Sequence, residues 1–310
     1  MRIVVALGGN ALLKPGEAVS AVAQRRNLRI ATAQLAKMAL SHELAIVHGN
    51  GPQVGLLALQ EMSRPVETRF SLDVLDAETE GMIGYLIEQE LRNSLPAAGY
   101  ACATLLTMVE VSRDDPAFGH PDKPIGPVYT EAEATAAMQV HGWTMVHDGG
   151  FYRRTVPSPA PVRILQLEPV RWLLERGSIV ICAGGGGIPV LAKVGGGYQG
   201  VEAVVDKDRS AALLACEIDA DLLLIATDVE GVFLDWAMPA RRLIRQAHPD
   251  DLAGLTFPAG TMGPKVEAAC AFAKRTGRRA VIGALNDIER MCAGSAGTLV
   301  SCDQSGIAAD

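Results

Sequence analysis

The ten residues Met1-Arg-Ile-Val-Val-Ala-Leu-Gly-Gly-Asn10 constrain the fold more than any other part of the chain. Ile3 to Leu7 is a short apolar run rich in β-branched residues, and Gly8 and Gly9 end it abruptly. That pattern reads as a buried strand entering a tight turn. Glycine has no Cβ, so such a turn brings backbone N–H groups close to a ligand. A helix-period segment follows from about Val19 to Leu40. The turn therefore lies near a helix N-terminus, where free N–H groups and the helix dipole both favour an anion.

The same design recurs. Leu44 to Val47 is apolar, His48-Gly-Asn-Gly-Pro-Gln53 follows, and Pro52 suits the first position of the next helix. Two strand–glycine turn–helix units in succession predict a right-handed βαβ crossover, with both turns at the carboxyl edge of neighbouring parallel strands. A small anionic substrate held by two backbone turns is the first inference.

At 310 residues the chain has enough length to bury a full core, as one large α/β domain or two lobes. It is 49% hydrophobic but only 5% aromatic, with 32 glycines, which suits a glycine-turned parallel sheet better than a β-sandwich. A net charge of −7 argues against a nucleic-acid partner while leaving room for a local basic pocket. Cys102, Cys182, Cys216, Cys270, Cys292 and Cys302 are scattered without a C-x-x-C pair. They read as buried thiols in a reducing compartment, not as disulfides or zinc ligands. No run approaches membrane-spanning length, and the N-terminal apolar run is too short for a signal-peptide core. A cytoplasmic location is expected.

Further along, Asp76 to Leu95 carries a helical apolar stripe of Met82, Ile83, Leu86, Ile87 and Leu91, read as core or subunit interface. Ala101 to Val109 is expected to be a buried strand. From Ser112 to Pro161 the texture turns proline-rich and charged, around a helix-compatible stretch from Thr130 to His141. A structureless loop of that length would be unusual in a compact domain, so the segment reads as a small protruding subdomain or lid. Pro124 and Pro127 should stiffen the loop that carries Lys123. Ile164 to Arg176 is expected to be helical, and Ser178 to Cys182 is the next strand, running into Ala183-Gly-Gly-Gly-Gly-Ile-Pro189.

Gly195-Gly-Gly-Tyr-Gln-Gly200 matches G-x-G-x-x-G by letter, but Val201 to Val205 after it looks extended and not helical. A flexible hairpin tip is preferred to a dinucleotide site, and no P-loop motif occurs. Leu222 to Ala226 is a continuous apolar strand ended by Thr227-Asp-Val-Glu-Gly231, and Asp235 to Pro258 is mixed and turn-rich. A third glycine turn, Gly260-Thr-Met-Gly-Pro-Lys265, opens a helix to about Thr276, closed by Gly277. Ala280 to Gly283 and Thr298 to Ser301 are short final strands. This strand–helix alternation predicts two α/β halves around one mainly parallel sheet.

Lys207 and Lys265 both fall in the first turn of predicted helices. The helix dipole makes that position unfavourable for a cation by roughly a few tenths of a kcal/mol. A single lysine there would be an ordinary solvated residue. Two beside glycine turns, with Lys123 on a proline-flanked loop, make sense if a polyanion sits among them. Asp208 can act as the counter-charge that spaces them, or it is only an acid at a helix start. Phosphoryl transfer asks for this equipment, because its transition state spreads negative charge that positioning and cationic clamping must stabilise. No general base is required when the acceptor is already an anion.

Val5-Ala-Leu-Gly-Gly-Asn-Ala11, His48-Gly-Asn-Gly-Pro-Gln-Val-Gly55, Lys123-Pro-Ile-Gly-Pro127, Gly184-Gly-Gly-Gly-Ile-Pro189, Glu202-Ala-Val-Val-Asp-Lys-Asp208 and Gly263-Pro-Lys265 together resemble the carbamate kinases, members of the amino acid kinase superfamily. The resemblance runs almost end to end. It implies an open αβα sandwich with a mainly parallel central sheet and a small protruding subdomain, usually as a homodimer. Residues 1–161, including the subdomain at about 112–161, would form the phosphoryl-acceptor lobe, and 162–310 the nucleotide lobe.

By that likeness Gly8, Gly9, Asn10, Gly49, Asn50 and Gly51 would surround carbamate and the transferred phosphoryl. Lys123, Lys207 and Lys265 would be catalytic, with Asp208 organising them. Thr227, Asp228, Met262 and Gly263 would lie near the nucleotide. The implied reaction is ATP + carbamate ⇌ ADP + carbamoyl phosphate, used for ATP formation in arginine and carbamoyl phosphate breakdown, with Mg²⁺ on the nucleotide phosphates and no metal site of the protein's own. Rival readings are another small-acid kinase of the superfamily, acting on acetylglutamate or a phosphonate, and a nucleotide-binding regulator without activity.

Overall fold

The computed structural model describes residues 1–9, 12–13, 17, 20–96, 99–236, 238, 240–257 and 262–310. The opening apolar run forms β1 (Arg2–Leu7), and Ser20 caps α1 (Ala21–Ala39) by accepting from Ala23 N at 3.2 Å. β2 (Glu43–His48), α2 (Gly51–Glu61) and α3 (Leu72–Ser94) follow. Ala101 to Val109, expected as one strand, divides into β3 (Cys102–Thr104) and β4 (Met108–Val111), which belong to different sheets. Between them the Thr107 hydroxyl donates to Leu105 O and accepts from Ala183 N, holding a bend that a continuous strand would not allow.

The proline-rich segment contains β5 (Lys123–Tyr129), α4 (Glu131–His141), β6 (Thr144–Asp148) and β7 (Phe151–Val156), and these strands make a separate antiparallel sheet in the order β5-β7-β6. Lys123 thus opens a strand and does not sit on a loop. Pro124 and Pro127 are tolerated there because β5 is an edge strand, where a missing N–H breaks few ladder bonds. Thr130 starts α4 with a complete capping box to Glu133.

β8 (Pro161–Ile164) precedes α5 (Leu167–Glu175), so the helix expected from Ile164 begins three residues later, after a strand. β9 (Ile179–Ile181) is followed by β10 (Ile188–Ala192) and β11 (Tyr198–Gly200), an antiparallel hairpin with Gly195 to Gly197 at its tip. Then come α6 (Lys207–Glu217) and β12 (Leu222–Thr227). The stretch from Asp235 to Pro258 is more regular than expected. After β13 (Phe233–Leu234) it supplies β14 (Arg242–Ala247) and α7 (Pro249–Ala253), because Leu243, Ile244 and Ala247 are buried although Arg242, Arg245 and Gln246 blur the pattern. α8 (Gly263–Thr276) ends at Gly277, whose φ of 68° is the left-handed helix stop glycine favours. Gly260 and Thr261 lie outside the described residues. β15 (Arg279–Ala284), α9 (Ile288–Cys292), β16 (Thr298–Val300) and β17 (Ile307–Ala309) complete the chain.

The main sheet runs β13-β14-β16-β15-β12-β1-β2-β9-β3, with β17 beside β14. β1 pairs in parallel with β2 on one side and β12 on the other, so the sheet grows outwards from it in both directions. Alternate side chains of β1 and β2 serve opposite faces. Val4, Ala6, Ala45 and Val47 join Leu214, Phe272 and Leu174 on one face. Ile3, Val5, Leu44 and Ile46 join Leu28, Leu35, Ile83 and Ile87 on the other. Helices α5, α6 and α8 thus cover the first face, and α1, α3 and α9 the second. Cys102, Cys182 and Cys270 are buried free thiols, whereas Cys302 is exposed. Among the described residues no helix is long and apolar enough to cross a membrane.

The small sheet rests on α2 by direct backbone contact. A Cβ built on Gly55 would lie 2.0 Å from Gly126 Cα, so only glycine lets α2 and β5 approach this closely. Val54, Leu72, Leu75, Ile125, Val156 and Val204 close the seam with apolar packing. Gly55→Ala should therefore destabilise the chain by about 2 kcal/mol or more through forced backbone displacement. Urea denaturation of the variant measures it, and an unchanged midpoint would contradict the contact.

Candidate active site

The two glycine turns meet at one edge because β1 and β2 are in register, Leu7 opposite His48. Gly8 N donates to Ala226 O at 2.9 Å and Gly49 N to Leu7 O at 3.1 Å, tying each turn to a neighbouring strand. The approach is tight. A Cβ on Gly49 would stand 3.2 Å from Gly9 N and 3.3 Å from Lys207 Cδ. The Lys207 stem therefore lies against Gly49, where the two turns meet. Gly51 opens α2 and borders open space, with nothing within 4 Å of its missing Cβ. Asn10 lies outside the described residues.

Lys207 is the first residue of α6 and Lys265 the third of α8, both in first turns as expected. Asp208 bridges them, with Oδ1 2.7 Å from Lys207 Nζ and Oδ2 3.2 Å from Lys265 Nζ. Asp206 does the same for the small sheet. Its Oδ2 accepts from Lys123 Nζ, while Oδ1 caps α6 by accepting from Asp208 N at 2.9 Å and Arg209 N at 3.3 Å. Three ammonium groups and two carboxylates are thus gathered beside two helix N-termini, leaving a positive balance for an incoming anion. Burial presses the Lys207 ammonium below its usual range against the pull of Asp208. At Lys265 burial acts the same way, but Asp208 and Asp206 outweigh it and raise its pKa. Burial also opposes ionisation of Asp206, yet Lys123, Lys207 and Lys265 hold its carboxyl far below the ordinary range.

Thr227 ends β12, beside the strand whose Gly8 it flanks, and its hydroxyl donates to Asp228 Oδ1 at 3.1 Å. Asp228 acts electrostatically on Lys265, so both residues lie on the same edge as the lysines. Met262 packs on the core where α8 begins, and Gly263 is the first residue of α8. Nearby, Phe233, Trp236, Met238 and Phe257 line a largely apolar cleft of about 500 Å³.

Sequence reasoning did not single out Asp206, nor the buried polar layer under the turns. Asp206 carried a readable signal, an aspartate immediately before a helix. Asp76 and Glu80 on α3 are 1% exposed, and with Ile83 and Ile87 they occupy one helical stripe. Their spacing placed them on the core face. Burial raises the Glu80 carboxyl to about 8, against hydrogen bonds from Thr107 N and Gly184 N. It lowers His48 to about 4 and pushes Asp76 well above the carboxylate range. Burial thus favours the uncharged form of all three groups.

Comparison with known proteins decides the family. The Amino acid kinase family model matches residues 1–284. The chain belongs to the amino acid kinase family. Curated carbamate kinases of Haemophilus influenzae and Rhizobium meliloti are 55% and 53% identical to it, covering 99% of this chain and 99% and 95% of theirs. The solved carbamate kinase from Giardia lamblia bound to citric acid superposes with a TM-score of 0.89 at 34% identity, covering 97% of this chain and 98% of its own. The same protein bound to AMP-PNP superposes with a TM-score of 0.86 at 35% identity over 97% and 98%. Likeness of this extent puts this amino acid kinase family member among the carbamate kinases, and it is a phosphotransferase. The αβα sandwich expected from the sequence is the fold observed.

Between pH 4.5 and about 8 Glu80 is protonated in the folded chain and ionised in the unfolded one. The folded state then holds the extra proton, so this group's contribution to stability falls as pH rises through that window. His48 opposes it below pH 6.5, where the unfolded imidazole takes up a proton that the folded one refuses. Melting temperatures of Glu80→Gln should consequently decline less steeply than those of the wild type from pH 6.5 to 8. Equal slopes would show that Glu80 is ionised in the fold.

Proposed function

We propose that this chain catalyses ATP + carbamate ⇌ ADP + carbamoyl phosphate through Lys123, Lys207 and Lys265. The convergence of these lysines on Asp206 and Asp208, directly above two glycine turns, carries the reading. In the ATP-forming direction a terminal oxygen of ADP bonds to the phosphorus of carbamoyl phosphate while the bond from phosphorus to the carbamate oxygen breaks. Carbamate leaves as an anion, so no proton need move in this step. The three ammonium groups offset the charge that spreads over the transferred group, and Asp208 keeps two of them from repelling each other.

In this reading Gly8, Gly9, Asn10, Gly49, Asn50 and Gly51 form the acceptor cradle, and residues 1–161 the acceptor lobe. Residues 162–310 carry the nucleotide beside Thr227, Asp228, Met262 and Gly263, and the apolar cleft at Phe233 and Trp236 suits a base. The carboxylates of Asp206 and Asp208 are spent on lysines, and among the described residues no three His, Cys, Asp or Glu side chains gather as a cage. Such a donor set fits Mg²⁺ carried by the nucleotide phosphates, where it would neutralise phosphate charge. The reading extends to a cytoplasmic homodimer that runs towards ATP, and exposed Met82, Tyr85 and Leu106 offer an apolar face for pairing.

A coupled assay with ADP, Mg²⁺ and carbamoyl phosphate tests the proposal. Wild type should form ATP, and Lys123→Ala, Lys207→Ala and Lys265→Ala should each lose about a hundredfold or more in rate while remaining folded. Near-wild-type rates in the lysine variants would end the clamp mechanism. Nucleotide binding without ATP formation by the wild type would point to a different acceptor or to a regulator.

A further inference from the structure

Beneath the acceptor turn, the side chain of Asn50 is 2% exposed. Its amide nitrogen has two hydrogens, and both are spent on α3: one on Asp76 Oδ1 at 2.8 Å, the other on Thr79 Oγ1 at 2.9 Å. The Thr79 hydroxyl hydrogen is itself donated to Asp76 O at 3.0 Å. Thr79 therefore has only a lone pair to offer, which fixes the amide with its nitrogen towards α3. Asn50 keeps no side-chain donor for a phosphoryl oxygen, and its remaining Oδ1 would repel one. Its backbone carbonyl accepts from Gln53 N and Val54 N at 2.8 and 2.9 Å, starting α2.

The opposite side of Asn50 is closed by the glycine run. A Cβ on Gly185 would fall 2.3 Å from Asn50 Nδ2, and one on Gly184 2.3 Å from His48 Nε2. Glu80, one turn along α3 from Asp76, accepts from Gly184 N of that run at 2.8 Å through Oε1 and from Thr107 N, in the bend between β3 and β4, at 3.0 Å through Oε2. Ser210 Oγ then donates to Gly186 O at 2.6 Å, joining the run to α6, whose first residues are Lys207 and Asp208. An unbroken buried path therefore leads from the acceptor turn through α3 and the glycine run to the lysine-bearing helix.

We propose that Asp76, Thr79 and Glu80 form a positioning stripe for phosphoryl transfer, and that Asn50 is a strut braced on it instead of a side-chain ligand of the substrate. This inference rests on the function proposed above. The stripe orients the backbone N–H groups of the acceptor turn before substrate arrives, and keeps that turn in step with α6. Donors fixed in direction stabilise developing charge without reorganising, so loosening them lowers the rate of the chemical step more than it weakens binding.

The test uses Thr79→Val, which removes one acceptor of Asn50 at nearly constant volume, Asp76→Leu, which removes the other, and Asp76→Asn, which keeps an oxygen for it. Steady-state ATP formation gives kcat and KM, and hydrogen exchange by mass spectrometry follows the segments 48–55 and 183–190. Thr79→Val and Asp76→Leu should lower kcat by about tenfold, with KM for ADP within about twofold of wild type. Both segments should exchange faster, and Asp76→Asn should recover most of the rate. Wild-type kcat in Thr79→Val, or a raised KM for carbamoyl phosphate at constant kcat, would overturn the strut and make Asn50 a ligand. If Asp76→Leu does not fold, Thr79→Val decides. Should the wild type form no ATP, the proposed reaction fails, and exchange in Thr79→Val still judges the strut: acceleration supports it, wild-type protection overturns it.

Discussion

Asp208 is the residue on which the site depends. Two lysines packed at the positive ends of two helices, 8% exposed in the case of Lys207, would repel each other and the helix dipoles. One carboxylate with an oxygen for each removes most of that cost, at 2.7 and 3.2 Å. A buried ion pair is weak evidence for stability, since desolvation consumes much of the attraction. Here it holds charge in place for an anion that has yet to arrive. The geometry requires α6 and α8 to begin side by side, and they do so across the face that also packs Leu214 and Phe272.

Asp206 extends the same logic to the small sheet. One oxygen caps α6 and the other meets Lys123, so the residue that starts the helix also anchors the protruding strand β5. At its other contact that strand leans on α2 through Gly126 against Gly55. Lys123 is thus positioned by two independent contacts, one electrostatic and one steric. The second belongs to the helix that also begins the acceptor turn. In the polar layer below, burial pushes the Glu80 and Asp76 carboxyls up and the His48 imidazole down, favouring the uncharged form of each, because desolvation outweighs their hydrogen bonds.

Much of this was legible in the chain. Apolar runs ended by glycine turns announced β1 and β2, a continuous apolar run announced β12, and lysines at the wrong ends of helices announced Lys207 and Lys265. β14 was hidden because its outward positions are Arg242, Arg245 and Gln246, whose charge resembles a loop. The split between β3 and β4 was hidden because a threonine hydroxyl, Thr107, makes the bend by bonding to residues far away in sequence. The sequence marks Lys123 but suggests a loop around it, since prolines disfavour strands except at an edge that only the sheet order reveals.

The sequence by itself determined where strands end in glycine, which helices begin with lysine, and the family to which the chain belongs. Those properties are local, set by the conformations glycine allows and by the dipole of a single helix turn. Tertiary structure decided the pairing of Lys123 with Asp206, the sharing of Asp208 by two lysines, and the commitment of Asn50 to α3. Each joins residues 26 or more apart or balances charges from different helices, and a hydrogen bond acts only at contact distance, which the sheet order alone establishes.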